Sequence, residues 1–242
     1  MVRSQVESDQ SPVLASAGLD VGYRKKRGER VTVVGDVNLQ LYSGEMVALL
    51  GPSGVGKSTL LDTLTLMTRQ IAGQLTILGE PTISMSEHKR VEVRRNSIGY
   101  IFQSFNLISH LSAIDNVLVG YRARKSSPFD LPDLARGLLE SVGIRGADQE
   151  KLPAYLSVGQ RQRVGVARAL IKEPPLIFAD EPSGNLDEVN TESLFELFRE
   201  YVAKRGSLLY VTHSPTLANL GDKILEIVPV PNGPAELKGR IR

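Results

Sequence analysis

The chain has 242 residues, 41% of them apolar, and a formal net charge of +2. That is enough for one large α/β domain, or a core with a subdomain, and too balanced to require a polyanionic partner. With no cysteine and only three scattered histidines, disulfide frameworks, thiolate metal sites and His-based metal clusters are set aside.

Residues 1–12 are polar, lack the apolar core of a secretory signal and read as a disordered lead. No apolar run approaches the ~20 residues of a membrane-spanning helix, so the chain reads as cytosolic and able to dock on a membrane protein. Two alternating stretches, Leu14 to Tyr23 and Arg30 to Leu41, flank a basic, Gly-containing connector and predict a β-hairpin. Tyr23 is either a core aromatic or a platform for a nucleotide base.

Glu45 to Leu50 is a buried-strand pattern. It delivers Gly51-Pro52-Ser53-Gly54-Val55-Gly56-Lys57-Ser58-Thr59, which fits the phosphate-binding loop G-x-x-x-x-G-K-[ST]. Gly51, Gly54 and Gly56 let the backbone turn tightly and bring its N–H groups, with that of Ser53, onto phosphate oxygens. Lys57 reaches the β- and γ-phosphates, and Ser58 offers a hydroxyl to Mg²⁺. Thr59 to Met67 reads as the helix whose positive end faces the same anion.

Leu75 to Leu78 and Ile98 to Phe102 predict further strands, the second followed by Gln103. Residues 104–156 change texture and predict an inserted, mainly helical subdomain. In it Leu134, Leu138 and Val142 recur at i, i+4, i+8 as a buried stripe, with Pro132 and Asp133 in the first turn and Gly143 at the end. Leu156 to Gln160 opens another helix, with Val164, Ala167 and Ile171 on one face. Ser157 and Gln160 fit a capping box, which alone accounts for them. The same helix end, with Gly159, is equally a second anion site.

The apolar run Leu176 to Ala179 ends in Asp180-Glu181. These are two loop acids, or, at the carboxyl rim of a parallel sheet, a Mg²⁺ ligand (Asp180) and a group that polarises an attacking water (Glu181). A helix from Val189 to Lys204 places Leu194, Phe198 and Tyr201 on one face. Ser207 to Thr212 is a strand ending at His213, Ile224 to Val228 is a last strand, and residues 229–242 read as a loose tail.

In order along the chain these motifs resemble the nucleotide-binding subunit of ATP-binding-cassette transporters, from about residue 14 to about residue 228. Gly51 to Thr59 is similar to the family's Walker A loop, Gln103 to its Q-loop, and Leu156 to Gln160 to its signature. Leu176 to Glu181 is similar to Walker B, Ser183-Gly184-Asn185-Leu186-Asp187 to the D-loop, and His213 to the switch histidine. The resemblance implies an α/β fold: a P-loop NTPase (RecA-like) core with an antiparallel β subdomain and an inserted helical subdomain.

It further implies ATP as ligand, with Mg²⁺ held by Ser58, Gln103 and Asp180, and Tyr23 stacked on adenine. Glu181, His213 and Gln103 become the catalytic set. Two copies would form a homodimer, each lending Ser157, Gly159, Gln160 and Asp187 to the other's nucleotide. An integral membrane permease subunit would dock in the groove lined by Phe105 and Leu107, placing the chain peripherally on the cytoplasmic face of the inner membrane, with no nucleic acid partner. Gly184-Asn185-Leu186-Asp187 is similar to the lipoprotein-release and macrolide-efflux group. A cell-division ATPase, signalling through a membrane partner without transport, and a soluble cassette ATPase stand as alternatives. One departure is Val158, where the family has glycine; a β-branched residue resists φ > 0 and must be helical or extended.

Overall fold

The computed structural model describes residues 11–26, 28–122, 130–184, 186–204 and 206–240. The expected lead, except for its last two residues, therefore lies outside the described residues, as do Arg27 of the basic connector and Asn185.

Among the described residues, ten strands form one curled sheet. They are β1 (Leu14–Arg24), β2 (Arg30–Leu41), β3 (Met46–Leu50), β4 (Ala72–Ile77), β5 (Glu80–Pro81), β6 (Ile98–Ile101), β7 (Leu176–Asp180), β8 (Ser207–Thr212), β9 (Lys223–Val228) and β10 (Ala235–Arg240). Their order is β5-β4-β1-β2-β10-β9-β3-β8-β7-β6. From β9 to β6 every neighbouring pair is parallel, whereas β2, β1, β4 and β5 pair antiparallel.

The helices are α1 (Lys57–Leu64), α2 (Glu87–Ser97), α3 (Ala113–Arg122), α4 (Leu131–Ser141), α5 (Val158–Leu170), α6 (Glu188–Lys204) and α7 (Pro215–Ala218). Parallel strands covered on both faces need apolar side chains on both, and the sequence supplies them. Ala48, Ile177, Ala179, Leu208 and Tyr210 belong to a core shared with α3, α4, α5 and α6. Their strand neighbours Val47, Leu49, Phe178, Leu209 and Val211 point the other way, into a core with α1 and the curled antiparallel strands.

Two expectations are corrected, and one helix comes in addition to those expected. The expected loose tail contains β10, which runs parallel to β2 and antiparallel to β9 and so joins the two halves of the sheet. Its prolines and Gly233 sit in the turn before it, where Asn232 has φ 58°, Gly239 lies within it opposite Leu225, and Ala235 packs into the core. In α4 the buried face carries Leu131, Ala135 and Leu139, with Val142 following, while Leu134 is 40% exposed. Pro132 sets the start of that helix and Gly143, at φ 77°, ends it. Finally, α2 went unread because nearly all its residues are polar; Ser86 caps it and Val93 is its one buried apolar residue.

Candidate functional site

The phosphate loop is built at the carboxyl end of β3. Gly56 caps α1 in the left-handed region, φ 108°, and Gly54 sits at φ 77°. A Cβ on Gly56 would stand 2.7 Å from both Val33 and Val34 of β2, so this glycine is required by conformation and by space. The contact also brings the β1–β2 hairpin against the loop. Lys57 is buried, and its Nζ donates to the carbonyls of Gly51 and Pro52 at 2.8 Å each, fixing the cation at the loop. Ser53 and Ser58 are exposed and Thr59 half-buried.

Across the rim, Ser58 Oγ donates to Asp180 Oδ2 at 3.1 Å. Burial, with Glu181 nearby, holds the Asp180 carboxyl above the usual carboxylate range, against the opposing pull of Ser58 and Lys57. One turn beyond Ser58, Asp62 is raised as well, by burial first and then by Asp180. The Tyr100 hydroxyl is pushed well above its ordinary range by burial and by the charges of Asp180 and Asp62. Asp62 and Tyr100 escaped the sequence reading, although the i, i+4 spacing from Ser58 places Asp62 on the same face of α1.

Glu181 follows at φ 44°, a left-handed conformation for a side chain that precedes a proline, and its N–H donates to Val211 O. Both carboxylate oxygens are engaged. Gln103 Nε2 donates to Oε2 at 3.1 Å, and His213 Nδ1 lies 3.2 Å from Oε1. Residues following β6, β7 and β8 thus converge at the carboxyl edge of the parallel strands, where open α/β sheets bind ligands.

The segment after Gln103 is held by a residue that the sequence reading missed. Arg168 of α5 donates to the carbonyls of Phe105 and Asn106, whose φ values are 61° and 47°. A groove of about 210 Å³ opens beside it, lined by Met67, Arg94, Tyr100, Phe102 and Lys172. Phe105 and Leu107 are half-buried.

The remaining candidates stand apart from the loop. Ser157 caps α5 in a complete capping box: its Oγ accepts from Gln160 N–H at 3.1 Å, and its own N–H donates to Gln160 Oε1 at 2.9 Å. Gln160 Nε2 also donates to Asp148. Val158 is the first residue of α5 and 42% exposed, so the helical alternative holds for it and its branched side chain faces outward. Asp187 accepts from the N–H and side-chain amide of Asn190, each at 2.8 Å. Tyr23 is 54% exposed at the end of β1, paired with Val31. Among the described residues, no hydrogen bond joins Tyr23, Ser157, Gly159, Gln160 or Asp187 to residues 51–58.

Comparison with known proteins bears on this arrangement. The profile of a family described as ABC transporter matches residues 34–184. A lipoprotein-releasing system ATP-binding protein, LolD, of Bordetella pertussis is 38% identical over 221 residues, 91% of this chain and 95% of its own. LolD 2 of Caulobacter vibrioides is 36% identical, covering 89% and 94%. Among solved structures, the ATP-binding cassette MJ0796, a dimer in a post-hydrolysis state bound to ADP and Pi, superposes with a TM-score of 0.81 at 30% identity, covering 88% of this chain and 93% of its own. No helix among the described residues is long and apolar enough to cross a membrane.

Proposed function

The chain belongs to the ABC transporter family as an ATPase subunit, and we propose that two copies close around two ATP molecules to drive an integral membrane partner. The observation that carries this reading is the convergence of Gln103 and His213 on the two oxygens of Glu181, beside Ser58 and Asp180. A carboxylate in that position takes the proton of an attacking water, while the imidazole orients it and reaches the γ-phosphate.

In this reading Lys57, the N–H groups of residues 51–58 and the positive end of α1 hold the phosphates. Tyr23 offers an exposed ring to adenine. The donor set suits Mg²⁺: the Ser58 hydroxyl, the Asp180 carboxylate and the Gln103 amide oxygen are hard oxygen ligands. Bound there, Mg²⁺ would neutralise charge on the β- and γ-phosphates. The capped end of α5 offers Ser157 and the Gly159 N–H to the nucleotide of the twin chain, with Gln160 bracing the cap and Asp187 alongside. Closure then excludes water and aligns Glu181, so catalysis is positioning and electrostatics.

The groove beside Arg168, lined by Met67, Tyr100 and Phe102 rather than by Phe105 and Leu107, offers a seat for a segment of a membrane permease. Similarity to proteins named for lipoprotein release supports lipoprotein release or efflux as the driven task, with the chain peripheral on the cytoplasmic face of the membrane and no nucleic acid bound. The test is Glu181→Gln in the full chain. ATP binding stays, and turnover falls by about 10²–10⁴-fold, the range for loss of a general base. Turnover at the parent rate overturns the assignment.

A further inference from the structure

Two elements meet in this chain in a way that the site chemistry does not require. On α5, Gly159 and Arg163 are four residues apart and share a face; across from them, Leu186 and Asn190 are also four apart, in the loop entering α6 and its first turn. The two pairs interlock. A Cβ on Gly159 would stand 3.3 Å from Leu186 Cδ2, so the loop packs directly on the helix backbone. One turn on, Arg163 Nη1 donates to Asn190 Oδ1 at 3.0 Å. Asn190 in turn donates through its backbone and its side-chain amide to Asp187.

The result is a polarised chain from guanidinium to amide to carboxylate, in which each bond strengthens the next. Arg163 Nε is buried without a partner, and the bond from Nη1 to Asn190 anchors the guanidinium. The groove of about 210 Å³ beside it is lined by Glu140, Ser141 and Arg145, and among the described residues no hydrogen bond ties Arg163 to those walls.

We infer that Arg163 is a positioning residue: through Asn190 it locks Asp187 and its loop to the signature end of α5, so that the two elements a chain lends to its twin move as one body. This rests on the dimeric reading above. The Gly159 contact fits the same role. Gly159 lies in the helix with no left-handed φ, so here its lack of a side chain serves close approach of the loop.

The test compares full-length Arg163→Ala, Asn190→Ala and the double variant by kcat, by affinity for a fluorescent ATP analogue at concentrations where the chain is monomeric, and by Tm. Each single variant is expected to lose about tenfold in kcat with affinity unchanged within about twofold, and the double variant to be no slower than the slower single, because both cut one chain of bonds. Arg163→Lys, which keeps a donor for Asn190, is expected to recover most of the rate. Parent-like kcat in both singles, losses that multiply to about a hundredfold in the double, or affinity falling in step with kcat would each overturn the inference. Asn190 is half-buried in a first helical turn, so its variant folds even if Arg163→Ala does not, and it then decides alone: a kcat loss at unchanged affinity supports the lock, and parent-like kcat overturns it. A parent chain that turns over no ATP fails the dimeric reading itself and the lock with it; an active parent matched by Asn190→Ala fails the lock alone.

Discussion

Ser58 Oγ donates to Asp180 Oδ2 at 3.1 Å, tying the first turn of α1 to the end of β7. Asp62 comes one turn later on the same face, so two carboxylates with raised proton affinity share this end of the site. Gathering carboxylates at one half-buried edge is electrostatically costly, and the cost appears here as carboxyl groups held above their ordinary range.

Asp62→Asn reads that cost. The folded pKa of Asp62 lies above its unfolded value of 3.8, raised first by burial and then by Asp180. The folded state therefore penalises the ionised form, and the penalty is full above the folded pKa and absent below about 3.8. Replacing the carboxylate by an amide is expected to raise Tm at pH 7 by about 1–2 °C, discounted for solvent screening at a half-exposed group. The gain should shrink to nothing as the pH falls toward 4. Thermal melts across pH check both the sign and the window; a variant less stable than the parent at pH 7 contradicts it.

Gly56→Ala tests the loop. The new methyl must occupy space 2.7 Å from Val33 and Val34 and hold φ 108°. A cost of about 1–3 kcal/mol is expected, with loss of ATP binding, because the strain falls on the backbone that presents N–H groups to phosphate. Melting and nucleotide titration of the same variant measure both effects.

Tyr23→Ala addresses the hairpin. The ring is exposed, and Tyr23 pairs through the backbone with Val31, two residues before Val33, one of the two valines that leave no room for a side chain at Gly56. If it stacks on the base, its removal weakens ATP affinity by about tenfold or more while leaving Tm close to the parent's, and Tyr23→Phe stays within about twofold. Equal affinity in all three proteins would place the base elsewhere.

Much of this was legible in the sequence because its signals were dense. The strands β3, β7 and β8 are short runs of apolar residues buried on both faces, each ending at a residue with recognisable chemistry: Gly51, Asp180 and His213. Where the signal was thin, the reading failed for physical reasons. Helix α2 carries charge in place of apolar periodicity, because its one fully buried long side chain is Arg90, whose Nη2 donates to the carbonyls of Leu66 and Thr68 after α1. Strand β10 exists because β2 and β9 both leave an edge for it, a tertiary fact with no local signature. In α4, spacing alone could not distinguish the Leu134 register from the Leu131 register, and packing chose the latter.

Within the site, residue types and order were legible but the links between them were not. Nothing local says that Glu181 adopts a left-handed φ, that Arg168 holds the turn at Phe105, or that Arg163 reaches Asn190, the residue that donates to Asp187. Each joins positions that only the fold brings together.

The central claim is that a complete site needs two chains. Light scattering on size-exclusion-purified Glu181→Gln, with and without saturating ATP, tests it most directly, since slow turnover lets the closed state accumulate. The account predicts a monomer of 26.4 kDa without nucleotide and a particle of twice that mass with ATP, abolished by a second substitution, Ser157→Glu. A protein that binds ATP fully and remains at 26.4 kDa contradicts it.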